Sequence, residues 1–255
     1  MNYIRPKKSL GQHFLNDKNI AQKIVNSLCF EGNVLEIGPG KGILTQYLIE
    51  KNCENLKLIE IDGESVEYLK TNIKIEPEKI IFADFLTTDI KSIFNNEFAI
   101  IGNFPYNIGS QIFFKVLQNH EQVVEVVCMI QKEVAQRIAT EPGSKVYGIL
   151  SVLLQTFYNI EYLFTVNEKV FTPPPKVKSA VIKLTRNNRK KLECDEKLFF
   201  NVVKTAFNQR RKTLSNSLKP ILDGKKIEAP VFLKRPEQLS VDDFIGLTKI
   251  ITSNQ

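Results

Sequence analysis

Histidine is nearly absent from this chain. It holds two, His13 and His120, among 255 residues, which argues against a histidine-rich metal centre. Cysteine is scarce as well. Cys29, Cys53, Cys128 and Cys194 sit in or beside apolar segments, and none belongs to a C-x-x-C pair. They read as reduced packing residues rather than as zinc ligands or a disulfide framework. No apolar run approaches the ~18 residues of a membrane span. The first residues, M-N-Y-I-R-P-K-K-S-L-G-Q-H-F-L, lack the apolar core and small-residue cleavage site of a secretory signal. These absences lead us to expect a cytoplasmic protein with no metal and no membrane partner.

Negative charge is what the C-terminal part lacks. Residues 186–255 carry 15 basic and 8 acidic residues, whereas residues 1–185 carry 20 of each. The whole net charge of +7 therefore lies in the last stretch. Such asymmetry suggests a polyanion-binding module joined to a neutral body. At 43% hydrophobic and 25% charged, the composition is that of a globular chain.

Short apolar runs alternate with helical patterns. Strands are expected at 33–38, 56–61, 79–83, 97–102 and 123–130, with helices at 41–52, 63–74 and 109–119 between some of them. This alternation predicts a parallel sheet covered by helices on both faces. The rhythm then breaks. A helical segment near 147–157 is followed by N-I-E-Y-L-F-T-V and K-S-A-V-I-K-L-T, two strands with no helix between them, which suggests an antiparallel pair closing the sheet. After the polar R-N-N-R-K-K-L-E (186–193), patterns at 195–208 and 241–252 are helical. The expected division is an α/β domain at 1–187 and a small α-helical domain at 188–255.

Polar signals gather where the strands run out. E-I-G-P-G-K-G (36–42) follows the first strand and opens a helix. Glycines there let the backbone turn sharply and approach a ligand. The turn lacks the G-x-G-x-x-G spacing of a dinucleotide site and the G-K-[ST] of a P-loop. With no pyrophosphate to cradle, S-adenosylmethionine is the better candidate. The second strand ends in I-E-I-D (59–62) and the third in F-A-D-F (82–85). Glu60 is placed to accept hydrogen bonds from a ribose diol, and Asp84 shares its edge. Ligands of open α/β sheets bind at such carboxyl ends.

The fourth strand ends in N-F-P-Y (103–106). An adenine 6-amino group is a poor nucleophile, because its lone pair is delocalised into the ring. The Asn103 side-chain oxygen and the Phe104 carbonyl are candidates to accept its two hydrogens and aim the nitrogen at a methyl donor. Pro105 fixes φ, which helps hold that carbonyl in place. Tyr106 offers a flat face for a flipped-out base. Positioning in a dry, in-line geometry then supplies most of the rate.

These residues, in this order, resemble the small-subunit ribosomal RNA adenine dimethyltransferases, the KsgA family. The likeness runs through S-L-G-Q-H-F-L-N-D (9–17), L-E-I-G-P-G-K-G (35–42), I-E-I-D, N-F-P-Y-N-I, Q-K-E-V-A-Q-R (131–137), V-F-T-P-P-P-K-V-K-S-A-V (170–181) and A-F-N-Q-R-R-K-T-L-S-N-S-L (206–218). The last two are its most specific segments. The resemblance implies a Rossmann-like S-adenosylmethionine-dependent methyltransferase sheet with a helical C-terminal domain. It implies transfer of four methyl groups to two adjacent adenosines near the 3′ end of 16S rRNA in the immature small ribosomal subunit, giving N(6)-dimethyladenosines. We expect the protein to act as a monomer. Cofactor residues would be His13, Leu15, Gly38, Glu60, Asp84 and Asn103, the first two in a segment that folds over the cofactor. Many members carry asparagine where this chain has His13, and leucine where it has Phe104. Phe171, presented by the stiff proline run, is expected against the target adenine opposite Tyr106; a rigid core-packing crossover is the other reading of that segment. Arg210, Arg211 and Lys212, on a helix, would contact rRNA phosphates, with Lys7 and Lys8 adding to the track.

Two alternatives stand beside this reading. The macrolide-resistance methyltransferases share the fold and the N-F-P-Y type loop but modify 23S rRNA. A ribosome-assembly factor acting mainly by binding would use the basic module equally well. A nicotinamide-dependent oxidoreductase is disfavoured by the glycine spacing.

Overall fold

The computed structural model describes residues 4–53 and 55–254. Its strands are β1 (Phe14–Leu15), β2 (Asn33–Ile37), β3 (Leu56–Glu60), β4 (Ile80–Phe82), β5 (Phe98–Asn103), β6 (Val123–Gln131), β7 (Tyr158–Val166), β8 (Phe171–Thr172) and β9 (Ser179–Arg186). The helices are α1 (Lys18–Asn26), α2 (Ile43–Glu50), α3 (Gly63–Asn72), α4 (Gly109–Gln118), α5 (Lys132–Ala139), α6 (Ile149–Phe157), α7 (Glu196–Asn208), α8 (Leu214–Ser217), α9 (Lys219–Leu222) and α10 (Val241–Thr252). One sheet has the order β4-β3-β2-β5-β6-β9-β7. Strands β4, β3, β2, β5 and β6 pair in parallel, and β9 runs antiparallel to β6. The expected parallel body is therefore present, and the two strands expected to close it, β9 and β7, lie side by side at its end, with β9 antiparallel to β6.

The central strands owe their place to composition. β5 (F-A-I-I-G-N) is buried up to its last residue, and β6 (V-V-E-V-V-C-M-I-Q) is buried along eight of its nine positions. Near-continuous apolar runs of this kind belong to strands covered on both faces. A core of Ala21, Ile24, Val34, Leu48, Leu58, Ala99, Ile101 and Val127 packs α1 and α2 with the sheet. Helix starts are set by side-chain caps: Asp17 accepts from the Ile20 N–H, Asp62 from Glu64 and Asp195 from Leu198.

The chain forms two compact units. The first runs to Ala135 and resumes at Asn159–Arg186; the second is Gln136–Tyr158 with the residues from Asn187 onward. This corrects the expected uninterrupted domain at 1–187. The reason lies in α6, which buries Leu150, Val152, Leu153, Leu154 and Phe157. A helix apolar on every side needs neighbours all round, and α7 and α10 supply them within the second unit.

All four cysteines are free. Cys128 is buried, as a packing residue should be, but Cys29 is exposed, so the packing reading does not extend to it. Among the described residues no cluster of three or more His, Cys, Asp or Glu could hold a metal, and no helix is long and apolar enough to cross a membrane.

Candidate active site

One cleft opens at the carboxyl ends of β2, β3, β4 and β5. Its walls include Gly38, Gly40, Glu60, Ile61, Asp84, Asn103, Pro105 and Tyr106, together with Leu10–Phe14 from the N-terminal segment. The parallel register brings together residues far apart in sequence, since each strand ends at the same sheet edge.

The glycine turn forms the floor. Gly38, Gly40 and Gly42 all have positive φ (64°, 54° and 73°). A Cβ on Gly40 would stand 2.8 Å from the Phe14 ring, whereas one on Gly38 meets nothing within 4 Å. At Gly38 a side chain would project into open space.

Acidic groups line the next two strand ends. Glu60 is 4% exposed. One carboxylate oxygen accepts the Gly40 N–H at 3.1 Å and the other the Asp62 N–H at 2.9 Å. Burial pushes its carboxyl above the usual range, against the pull of those two donors. Each oxygen keeps a second lone pair for a hydroxyl. Asp84 accepts the Leu86 N–H at 2.8 Å through one oxygen. Its carbonyl takes the Thr88 N–H and hydroxyl at 3.0 and 2.7 Å, pinning the turn that presents it.

The N-F-P-Y stretch is a rigid turn. The Asn103 amide nitrogen donates to the His13 carbonyl at 2.9 Å, which orients the amide oxygen away from that contact. Phe104 is buried, its N–H bonded to the Met129 carbonyl at 3.0 Å and its ring edge-on to Phe113. The Pro105 carbonyl accepts the Ile108 N–H at 3.2 Å. The Tyr106 hydroxyl is hydrogen-bonded to the fully buried Ser179, and its ring centroid lies 5.3 Å from that of His13. His13 in turn bonds the Pro173 carbonyl through Nδ1 at 2.7 Å.

Other expected site residues fall elsewhere. Leu15 is buried beside a smaller cavity shared with Glu36, Gly38 and Asn103. Phe171 corrects the expectation of a face against the target adenine. It is 3% exposed, part of the core, and lies outside the cleft lining. Antiparallel pairing with Leu15 in the short β1–β8 ladder accounts for its inward position. Lys7 is committed to Asp62 at 2.5 Å and Glu64 at 3.1 Å, while Lys8 is exposed. Arg210, Arg211 and Lys212 lie in a turn beyond the end of α7, not on a helix. Arg210 donates to the Ser144 carbonyl at 3.1 Å and faces Glu237 at 3.9 Å; Arg211 and Lys212 are exposed.

Three polar residues near the site have partners that the sequence does not show. Ser179 sits in the quoted K-V-K-S-A-V segment, but nothing local links it to Tyr106. Asp62 was visible as the end of I-E-I-D, with no sign of its partners. Glu36 is 1% exposed, bonded to the Thr45 hydroxyl at 2.7 Å, and burial raises its pKa to about 8.

Fold and site together place the chain among the Rossmann-like S-adenosylmethionine-dependent methyltransferases. A family model described as ribosomal RNA adenine dimethylase matches residues 4–252, and the chain belongs to that family. It is 57% identical over 256 residues to a ribosomal RNA small subunit methyltransferase A from Cytophaga hutchinsonii, covering 99% of each chain. It is 58% identical over 254 residues to one from Parabacteroides distasonis, covering 98% of this chain and 95% of the relative. Among solved structures, a dimethyladenosine transferase from Plasmodium falciparum superposes with a TM-score of 0.77 at 24% identity, covering 95% of this chain and 98% of the other. The 23S rRNA methyltransferase ErmE superposes at 0.65 with 27% identity, covering 92% and 99%.

Proposed function

We propose that this protein transfers methyl groups from S-adenosylmethionine to the 6-amino groups of two adjacent adenosines near the 3′ end of 16S rRNA, giving N(6)-dimethyladenosines. It acts on the immature small ribosomal subunit, in the cytoplasm, as a monomer. The observation that carries the reading is the Asn103–Tyr106 turn, held rigid at a strand end beside the Gly38 floor. The near full-length relatives named for the small subunit support the choice of RNA.

The residues present fit the cofactor. The open space over Gly38 admits a ligand, Glu60 has lone pairs for ribose hydroxyls, and Asp84 has an oxygen beyond its turn contact for the adenine amino group. Bound there, S-adenosylmethionine supplies an electrophilic methyl on a sulfonium. The protein's own work is positional. Asn103 Oδ1 and the Phe104 carbonyl accept the two hydrogens of the target amino group and set the direction of its lone pair. Tyr106, tied to Ser179, holds the base plane by stacking. The amino nitrogen becomes acidic once methylated, so no strong base is required. Preorganised acceptors in a site shielded from water supply most of the rate.

The likeness to ErmE favours one second reading, methylation of 23S rRNA. Incubation with methyl-labelled S-adenosylmethionine and unmethylated small subunits, large subunits or naked 16S rRNA separates the two. Dimethyladenosine on small subunits alone, read by mass spectrometry, is the expected result. Product on large subunits would establish the second reading. Binding to small subunits without product would make the protein an assembly factor.

A further inference from the structure

We propose that Asp62 is the latch that holds the N-terminal segment over the cleft, with Lys7 and Gln12 as its two catches. All three are positioning residues, and the proposal rests on the reading of the cleft as an S-adenosylmethionine site.

Asp62 is 2% exposed, yet donors from a segment more than 45 residues away reach it. Its Oδ1 lies 2.5 Å from Lys7 Nζ, and its Oδ2 accepts from Gln12 Nε2 at 3.2 Å. Gln12 closes the ring, because its Oε1 accepts the Lys7 backbone N–H at 2.8 Å. A helix cap alone would need only the Glu64 N–H, at 3.2 Å from Oδ1. Ser65 adds a hydroxyl at 3.1 Å from Oδ2. The carboxylate is thus shared between capping α3 and gripping a distant segment.

What it grips is a wall of the cleft. Leu10, Gly11, Gln12, His13 and Phe14 all line it. The far end of the segment is fastened by backbone: β1 pairs with β8, and the Asn16 N–H reaches the Val170 carbonyl at 2.8 Å. The near end is fastened by side chains. Lys7 is 37% exposed, so water screens its ion pair. A strand ladder at one end, and side-chain contacts alone at the other (the partly exposed Lys7, Gln12 and the buried Ile4), make the Asp62 end the natural point of release. Opening there would draw Gln12 and His13 out of the wall and free Asn103 from the His13 carbonyl. Closing would restore both around a bound ligand.

Ligand affinity should follow the latched fraction, since the apparent Kd is the intrinsic value divided by the competent population. The test is amide hydrogen exchange of the full-length protein, with and without S-adenosylmethionine, alongside calorimetric titration of that cofactor. For Lys7→Met/Gln12→Ala we expect exchange in residues 8–13 to rise at least ~10-fold, while the β1 amides stay protected. The Kd should rise by about the same factor, while β2 and β5 exchange as in the wild type. Lys7→Arg should restore both readouts. Asp62→Asn keeps an oxygen that caps α3 but loses the charge that holds Lys7, so it should loosen residues 8–13 in the same sense, with exchange in residues 63–72 as in the wild type. Wild-type protection of residues 8–13 in the double variant would overturn the latch. Faster exchange with unchanged Kd would overturn its link to the cofactor. A wild-type chain that bound no S-adenosylmethionine, while its variants still loosened, would refute the reading of the cleft and leave the latch standing.

Discussion

Glu36 and Glu60 share the glycine end of the sheet, and burial raises the pKa of both. For Glu36 the effect reaches about 8, chiefly from burial, with Glu60 adding to it and the Thr45 hydroxyl opposing. A carboxyl that holds its proton more tightly folded than unfolded favours the folded state at low pH. Stability should therefore fall as pH rises from the ordinary glutamate value of 4.5 toward 8, by up to ~1.4 kcal/mol per pH unit. Glu36→Gln removes this proton, so its melting temperature should exceed that of the wild type by a margin that widens between pH 5 and 8. Calorimetric scans across that range check it, and parallel curves would refute it. The same resolution applies to the N-F-P-Y turn. If Asn103 accepts from the target amino group as proposed, Asn103→Ala should lower kcat by about 10²-fold, as loss of one oriented hydrogen bond does at other preorganised sites. Tyr106→Ala should lower methylation far more than cofactor affinity. Equal losses in both would end the stacking role. Single-turnover methylation and calorimetric titration separate these outcomes.

Elements that carry their own periodicity were legible in the sequence; those defined by a distant partner were not. β2, β3, β4 and β5 declared themselves as apolar runs followed by polar strand ends, β6 as an apolar run, and the cleft residues Gly38, Glu60, Asp84 and Asn103 came with them. β1 and β8 are two residues each, too short for any pattern, so their pairing and the inward position of Phe171 stayed hidden. The proline run suggested presentation to the cleft, but a ladder with Leu15 decided otherwise. The pattern at 195–208 invited an extension of α7 through Arg210–Lys212, where the chain instead turns. α6 reads as a helix in sequence, but only its neighbours reveal its unit. Within that unit Phe244 is fully buried, its ring 5.9 Å from Phe207, which meets Tyr147 edge-on. Phe244→Ala should cost about 3–5 kcal/mol through lost transfer energy and a residual cavity. Lys219→Ala, at an exposed position, should stay within ~0.5 kcal/mol. Urea unfolding of both variants tests the pair; a cost below ~1 kcal/mol at Phe244 would mean the aromatic run does not hold these helices.

At the scale of the whole molecule the governing fact is where the charge lies. The net charge of +7 falls entirely in residues 186–255, and a polyanion bound there would release counterions in proportion to the phosphates neutralised. Not every cation in that stretch is available for this. Arg210 is spent on the Ser144 carbonyl and on Glu237, and Arg189 on Asp242 at 2.6 Å. Arg211, Lys212, Lys190 and Lys191 are exposed. The sequence alone ranked Arg210, Arg211 and Lys212 as equals; the structure divides them. If Arg211 and Lys212 each meet a phosphate, replacing both by alanine should lessen the slope of log affinity against log salt by about 1.4 to 1.8. Arg210→Ala should leave the slope nearly unchanged and act through the stability of its own turn. Filter binding of small-subunit rRNA between 50 and 300 mM salt gives both slopes. A slope lessened as much by Arg210→Ala as by either neighbour would show that its guanidinium leaves Ser144 and Glu237 for the RNA. An unchanged slope in the double variant would move the electrostatic contact to Lys190 and Lys191, at the start of the same basic stretch.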